Sequence, residues 1–152
     1  MAMACSDDEV SNDAATPDAT DQPAVTQAVS PEDAAAIDSA VRAFYQGYND
    51  DSMIEALRHV RFSADDECGG ATEHAFAYVE LKRIEKLRYQ VDEVNVNRVE
   101  GDTAQADVRI SSFAIDSGQQ VDNRLLLGFD FIRERDQWVY KDDPLPIKPF
   151  CP

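Results

Sequence analysis

At 152 residues, 43% of them apolar and 29% charged, the chain is long enough for one packed core and too short for two. Its 30 acidic side chains against 14 basic ones give a formal charge of −16. A field of that sign repels phosphate backbones and anionic lipid heads, which argues against nucleic acid and against electrostatic membrane docking.

The first stretch, "CSDDEVSNDAATPDATDQPAVTQAVS", carries Asp7, Asp8, Glu9, Asp13, Asp18 and Asp21, three valines and no aromatic residue, and no base precedes Arg42. Such a composition buries too little apolar surface to offset the entropy of ordering it, so residues 1–30 read as a disordered acidic tether. Structure is expected to begin at "SPEDAAAIDSAVRAFYQGY". There Ser30 suits the N-cap, Pro31 the first helical position, and Glu32 and Asp33 the positive helix end. Ile37, Val41, Phe44, Tyr45 and Tyr48 fall on one face of that helix.

After "NDD", the Ser52–Glu55 spacing predicts a capping box and a short second helix burying Ile54 and Leu57. "FSADDECGG" reads as one turn halted by Gly69 and Gly70. "ATEHAFAYVELKRIEKL" reads as a third helix with Phe76, Val79, Ile84 and Leu87 inward. From about Arg88 the period becomes alternating, and the turn signals "EGD", "DSGQ" and "RERDQ" divide the rest of the chain into four strands of an antiparallel meander. Tyr89 and Val91 lie out of step with Val94 and Val96, which predicts a bulge near Asp92 and Glu93 and a bent sheet. The third strand is apolar on both faces: Leu125, Leu127, Phe129 and Phe131 on one, Leu126 and Ile132 on the other. Helices cover one face, which leaves the other for the C-terminal tail or for a second copy in a homodimer.

This order of elements, with "AFYQGYNDDSMIEAL" at the first joint and "FDFIRERDQWVYKDD" at the last hairpin, resembles the nuclear transport factor 2-like superfamily over Pro31–Asp143. The resemblance implies an α+β, cystatin-like cone in which three N-terminal helices pack on a curved four-stranded antiparallel meander around a pocket. It divides the chain into a tether (1–30), the domain (31–143) and a Pro-rich tail (144–152). In the superfamily that pocket is catalytic in ketosteroid isomerases, dehydratases and polyketide cyclases, and elsewhere binds a ligand or a partner.

Isomerase-type work needs a carboxylate base in an apolar cavity and a phenol or neutral acid for the oxyanion. The segment "RFSADDECGG" matches the enzymes' base-bearing segment poorly, and Phe44 stands where they carry Tyr, with Tyr45 beside it. Asp130, between Phe129 and Phe131, is the remaining acid on which an isomerase, dehydratase or cyclase rests. The solvent-facing or Arg109-paired reading of Asp130 is preferred. His59 and His74 have no metal-ligand spacing, and Asp65, Asp66 and Glu67 lack that of a calcium loop. The sequence therefore suggests no metal, no cofactor and no catalytic residue. The expectation is a binding domain whose pocket is lined by Phe44, Tyr48, Phe76, Phe129 and Trp138, taking a small apolar molecule or an envelope protein.

Three cysteines leave one over from any pair. Cys68 before two glycines and Cys151 at the end of "DPLPIKPFCP" are the expected disulfide, two free thiols being the alternative, and such a bond implies an extracytoplasmic compartment. Cys5, after Ala2-Met3-Ala4 and before a polar tether, resembles the lipidated first residue of bacterial, actinobacterial-type envelope lipoproteins, although Ala2 stands where their signal usually carries Leu. An ordinary free thiol is the alternative there. The expectation is a secreted or lipid-anchored envelope protein that meets the membrane through Cys5 alone.

Non-reducing peptide mapping of oxidised, folded protein is expected to recover Cys68 linked to Cys151. Closing that loop stabilises by about 4 to 5 kcal/mol in the chain-entropy account, so Cys151→Ser lowers the melting temperature and Cys5→Ser does not. Full alkylation of both thiols in the folded protein overturns the pairing.

Overall fold

The computed structural model describes residues 28–62, 70–121 and 124–145. Cys5, Cys68 and Cys151 lie outside the described residues, and so do the lipid anchor and the disulfide expected of them; residues 63–69 of the "FSADDECGG" turn lie outside as well.

Helix α1 (Pro31–Asn49) starts as its sequence dictates: the Ser30 hydroxyl accepts from the Asp33 N–H at 3.0 Å, with Pro31 in the first turn. Its predicted face is buried in full, through Ile37, Val41, Phe44, Tyr45 and Tyr48. Helix α2 (Met53–Leu57) corrects the sequence reading. Ser52 makes no side-chain cap, and the residues buried are Met53, Ala56 and Leu57, while Ile54 is 66% exposed. The reason is the approach of α2 to α1. A side-chain carbon on Gly47 would lie 2.8 Å from the Ala56 amide nitrogen, so the glycine lets the two backbones touch and turns Ala56, not Ile54, toward α1.

Helix α3 (Ala71–Glu85) corrects it more sharply. The helix buries His74, Ala77, Tyr78, Leu81 and Lys82, whereas Phe76 is 70% exposed and Val79 and Ile84 are also outside. Leu87, read as its last inward residue, opens the first strand instead. A polar anchor decides the orientation. The Lys82 ammonium donates to the carbonyls of Tyr48 and Asn49, each at 2.8 Å, and to the Asp51 carboxylate at 2.7 Å. It thereby satisfies carbonyls that the end of α1 leaves without helical partners, where a cation is also favoured by the helix dipole.

Strands β1 (Leu87–Glu100), β2 (Thr103–Ala114), β3 (Leu125–Glu134) and β4 (Gln137–Tyr140) pair antiparallel in chain order. The predicted bulge is present between Val91 and Glu93, and a second register shift occurs between Val96 and Arg98. The two shifts keep Tyr89, Val91, Val94, Val96 and Val99 on one face, opposite Ser112, Ile110, Val108, Ala106 and Ala104 of β2. That inner face packs on α1. At the last hairpin Arg135 and Asp136 both adopt positive φ, as a two-residue turn of the hand that suits twisted strands requires.

The two ends of the fold are tied together. Asp33 in the first turn of α1 accepts from Trp138 Nε1 at 3.0 Å and pairs with Arg133, whose guanidinium lies 4.6 Å from the Trp138 ring centre. Beyond β4 the described residues do not reach the outer face of β3, where Leu126 is 61% exposed; they turn inward, with Pro144 and Leu145 buried.

Gly47→Ala is the test of the helix contact. In an open helix that change gains about 1 kcal/mol; here the new methyl meets backbone, and overpacking of this kind costs about 1 to 3 kcal/mol. Urea unfolding is expected to show a net loss, and a net gain would mean that α2 does not sit against Gly47.

Candidate functional site

All five tyrosines of the chain converge in the space bounded by α1, α3 and the inner face of the sheet. Tyr45 and Tyr48 come from consecutive turns of α1, Tyr78 from α3, Tyr89 from β1 and Tyr140 from β4, and none is more than 4% exposed. Phe44 sits among them, edge-on to Tyr45, Tyr78 and Tyr140 with ring centres 5.1, 6.3 and 5.6 Å away. Asn49 fixes the Tyr89 backbone by a pair of bonds, Nδ2 donating to its carbonyl at 2.6 Å and Oδ1 accepting from its N–H at 2.9 Å.

Burial pushes every one of these phenols well above its ordinary value, so they stay neutral hydrogen-bond donors. Their uses differ. Tyr45 donates to the Pro144 carbonyl at 2.9 Å, and Tyr89 reaches the Glu85 carboxylate at 3.3 Å. The hydroxyls of Tyr48 and Tyr140, and the second oxygen of Glu85, are buried with no hydrogen-bond partner among the described residues. Burial also raises the Glu85 pKa, against the smaller opposing effect of the bond from Tyr89.

Of the residues expected to line a pocket, Phe44 and Tyr48 are packed within this buried cluster, and half-buried Phe129 meets Tyr140 edge-on at 5.1 Å. Trp138 is buried at the far end of the sheet against Asp33. Phe76 is on the outer side of α3 and does not join them. Asp130 is on the outer face of β3, opposite Gln105, whose amide donates to it at 2.9 Å. It borders two surface clefts of about 250 and 310 Å³, away from the tyrosine cluster. The expected alternative partner, Arg109, pairs with Glu93 instead. Among the described residues no group of three or more His, Cys, Asp or Glu is arranged to hold a metal ion. His74 lies against the Phe62 ring at 4.4 Å.

Sequence reasoning missed Tyr78 and Glu85. The signal was present: His74, Tyr78, Leu81, Lys82 and Glu85 recur at helical spacing, but the face is polar enough to be read as the outer one.

No family model matches the chain, and no curated protein matches it. Solved structures do. A Nostoc punctiforme protein of unknown function with a cystatin-like fold superposes with a TM-score of 0.61 at 11% identity, over 78% of this chain and 97% of that one. The fold is the cystatin-like, nuclear transport factor 2-like cone. A nuclear transport factor 2-like protein from Novosphingobium aromaticivorans superposes with a TM-score of 0.56 at 16% identity, over 72% and 77% of the two chains. A protein from Streptomyces avermitilis, described as a proposed dehydratase of the nuclear transport factor 2-like family, gives 0.51 at 21% identity, over 72% and 91%. At these identities the likeness to other nuclear transport factor 2-like cones carries the fold alone.

Glu85 supplies a pH test. Its folded-state pKa lies above the ordinary 4.5, so the stability it contributes is complete below pH 4.5 and is lost as pH rises through the folded value. Glu85→Gln removes that loss. Thermal melts are expected to show the variant more stable than the parent at pH 7, with the difference closing below about pH 4.5. A variant less stable at pH 7 would mean that the carboxylate is solvated or paired.

Proposed function

We propose that the chain is a non-catalytic binding domain that takes a small, uncharged, largely apolar molecule into the tyrosine chamber. The observation that carries this reading is the character of the buried cluster: five phenols, all kept neutral, with the Tyr48 and Tyr140 hydroxyls left over as donors among the described residues. Such a lining offers apolar area and a few directional polar tips, which is what orients a neutral guest. Asp130, the acid on which an enzyme reading of the sequence rests, is on the other side of the sheet and engaged by Gln105.

A second reading has its own support. Glu85, with a raised pKa, a bond from Tyr89 and the Tyr48 hydroxyl nearby, has the composition of an acid–base pair, and an isomerase or dehydratase built here uses Glu85 in place of Asp130. A protein partner, or a second copy on the exposed side of the sheet at Leu126, is the remaining use of the fold's surface.

The location proposed for this activity is the cell envelope, with Cys5 as lipid anchor. The chain between Cys5 and Ser30 spans up to about 80 Å when extended, at roughly 3.3 Å per residue. No helix among the described residues is long and apolar enough to cross a membrane.

Native mass spectrometry of protein purified from its own envelope is expected to reveal a co-purifying neutral molecule. Asp130→Asn is expected to retain it at parental occupancy, and Tyr48→Phe to reduce occupancy by about tenfold or less, the range of one buried hydrogen bond. Turnover of any copurified molecule that Glu85→Gln abolishes replaces the binding reading with the enzymatic one.

A further inference from the structure

Strand β4 covers only the second half of β3. It pairs with Phe131–Glu134, the Lys141 N–H adds a bond to the Asp130 carbonyl at 2.9 Å, and the chain then turns inward to Leu145. Among the described residues no strand lies against Leu125–Phe129 on that side. Burial follows the missing neighbour. Phe131, where β4 is present, is 1% exposed, whereas Leu125 on the same inner face is 36% exposed and Leu127 and Phe129 are half-buried. Their β2 partners Ile110, Val108 and Ala106 are all buried, so the gap is at the edge and not beneath the sheet. Backbone groups alternate between the two edges of a strand. The Asp130 carbonyl points to the β4 side and the Arg133 N–H to Asp102 just before β2, so the N–H and carbonyl of Leu126 and Gly128 point to the open edge. Native sheets guard such an edge with Lys, Pro or a bulge, and "LLLGF" has none of these.

We propose that this edge is taken by the same edge of a second copy, the two β3 strands running antiparallel about a two-fold axis at Leu127, so that the sheets of two domains join into one. The sequence sets the register. With that centre Leu126 of one copy meets Gly128 of the other through backbone bonds in both directions, Leu127 meets Leu127, and Leu125 meets Phe129 on the inner face. At the ends Arg124 of one copy comes beside Asp130 of the other; within its own chain Arg124 is 69% exposed, 3.8 Å from Asp92. A centre at Gly128 would set Leu126 against Asp130, and one at Leu126 would set Arg124 against Gly128 and leave Asp130 without a base. Gly128 fits the same geometry. Among the described residues nothing asks for a glycine there, since a side-chain carbon would meet only Asp107 Oδ1 at an ordinary 3.6 Å, and glycine weakens a strand interior. Across the two-fold axis it leaves room for the Leu126 side chain. Around Leu126 the outer face is polar, with Gln105 bonded to Asp130 and Arg109 paired with Glu93, so the contact is the edge and not the face. A contact one short strand long lies below the roughly 1,200 Å² of standard interfaces, so the dimer is reversible. It does not depend on the guest proposed above.

Sedimentation equilibrium of the full chain under reducing conditions is expected to show a mass that rises from one copy toward two between about 10 μM and 1 mM. Leu126→Lys, at an exposed position, weakens the association by about tenfold or more. Arg124→Asp weakens it by about threefold or more, and Asp130→Arg added to that variant restores the parental constant within about twofold, as a direct contact between the two positions requires. Hydrogen exchange reads the same edge in the unaltered chain. The Leu126 and Gly128 amides are expected to slow by about fivefold or more across that concentration range, while the Leu127 amide, directed at β2, does not change. A chain that stays monomeric to about 1 mM overturns the proposal. A dimer that Leu126→Lys leaves intact belongs to another surface and overturns it as well. Protection of the Leu126 and Gly128 amides at every concentration means that a segment of the same chain takes the edge, and this too overturns the second copy. Failure of the charge swap to restore association overturns the register.

Discussion

The Lys82 ammonium is the point at which the helices and the sheet of this domain are made to agree. It is a buried cation, and a buried cation is tolerated only where oxygens surround it. The oxygens here are the last carbonyls of α1 and the Asp51 side chain just beyond them, so the demand of one lysine fixes how α3 lies against the end of α1. Asn49, whose carbonyl serves Lys82, uses its side-chain amide to hold the Tyr89 backbone at the start of β1. The end of α1, α3 and the start of β1 therefore meet at one joint, and the buried tyrosine cluster packs beside it. Tyr48, whose carbonyl Lys82 also holds, links the joint to the tyrosine cluster, since its ring lies 5.5 Å from that of Tyr89.

That joint also explains which parts of the fold were legible in the sequence and which were not. The first helix was readable to its cap, because Ser30, Pro31 and a repeating apolar face all point the same way. The meander was readable for the same kind of reason, down to the bulge at Val91, where alternation slips by one residue. The third helix misled. Its most apolar side, Phe76, Val79 and Ile84, faces solvent, and its buried side carries a histidine, a lysine and, at its end, a half-buried glutamate. Periodicity detects where apolar side chains recur; it has no way to register that a lysine will find three oxygens contributed by another helix and the turn after it. The same blind spot hid half of the chamber. Tyr45 and Tyr48 were visible on the helix that carries them, whereas Tyr78 and Glu85 became visible only with the orientation of α3. Asp130, the one acid the sequence offered to an enzyme, is exposed on the outer face of β3, in line with the solvent-facing reading preferred for it. Phenylalanines on both sides suggest an apolar setting, but in a strand those neighbours belong to the opposite face.

The comparison with other cones sharpens the division between fold and site. A shared architecture at 11 to 21% identity fixes how helices and sheet are arranged, and says nothing about the side chains between them. Here the lining is phenolic rather than acidic, and the polar chemistry that remains is concentrated at one corner, around Glu85 and Tyr89. The polar atoms that the fold buries without a partner among the described residues include one Glu85 oxygen and the Tyr48 and Tyr140 hydroxyls, which is why the functional weight falls there.

The bond between Asp33 and Trp138 has a consequence for how the chain is made. The two residues are 105 positions apart, and Arg133, on the same carboxylate, is 100 away. The first turn of the first helix is therefore anchored by the last strand of the sheet, and Tyr140 of that strand is also part of the inner lining. A chain synthesised from its N-terminus offers α1 neither the Trp138 anchor nor the Tyr140 ring until the last strand has been released. Until then the apolar face of α1 has no complete partner, and the entropy of closing so long a loop is met only when the last hairpin forms. The contact that closes the first helix against the sheet is thus made only when the last hairpin forms.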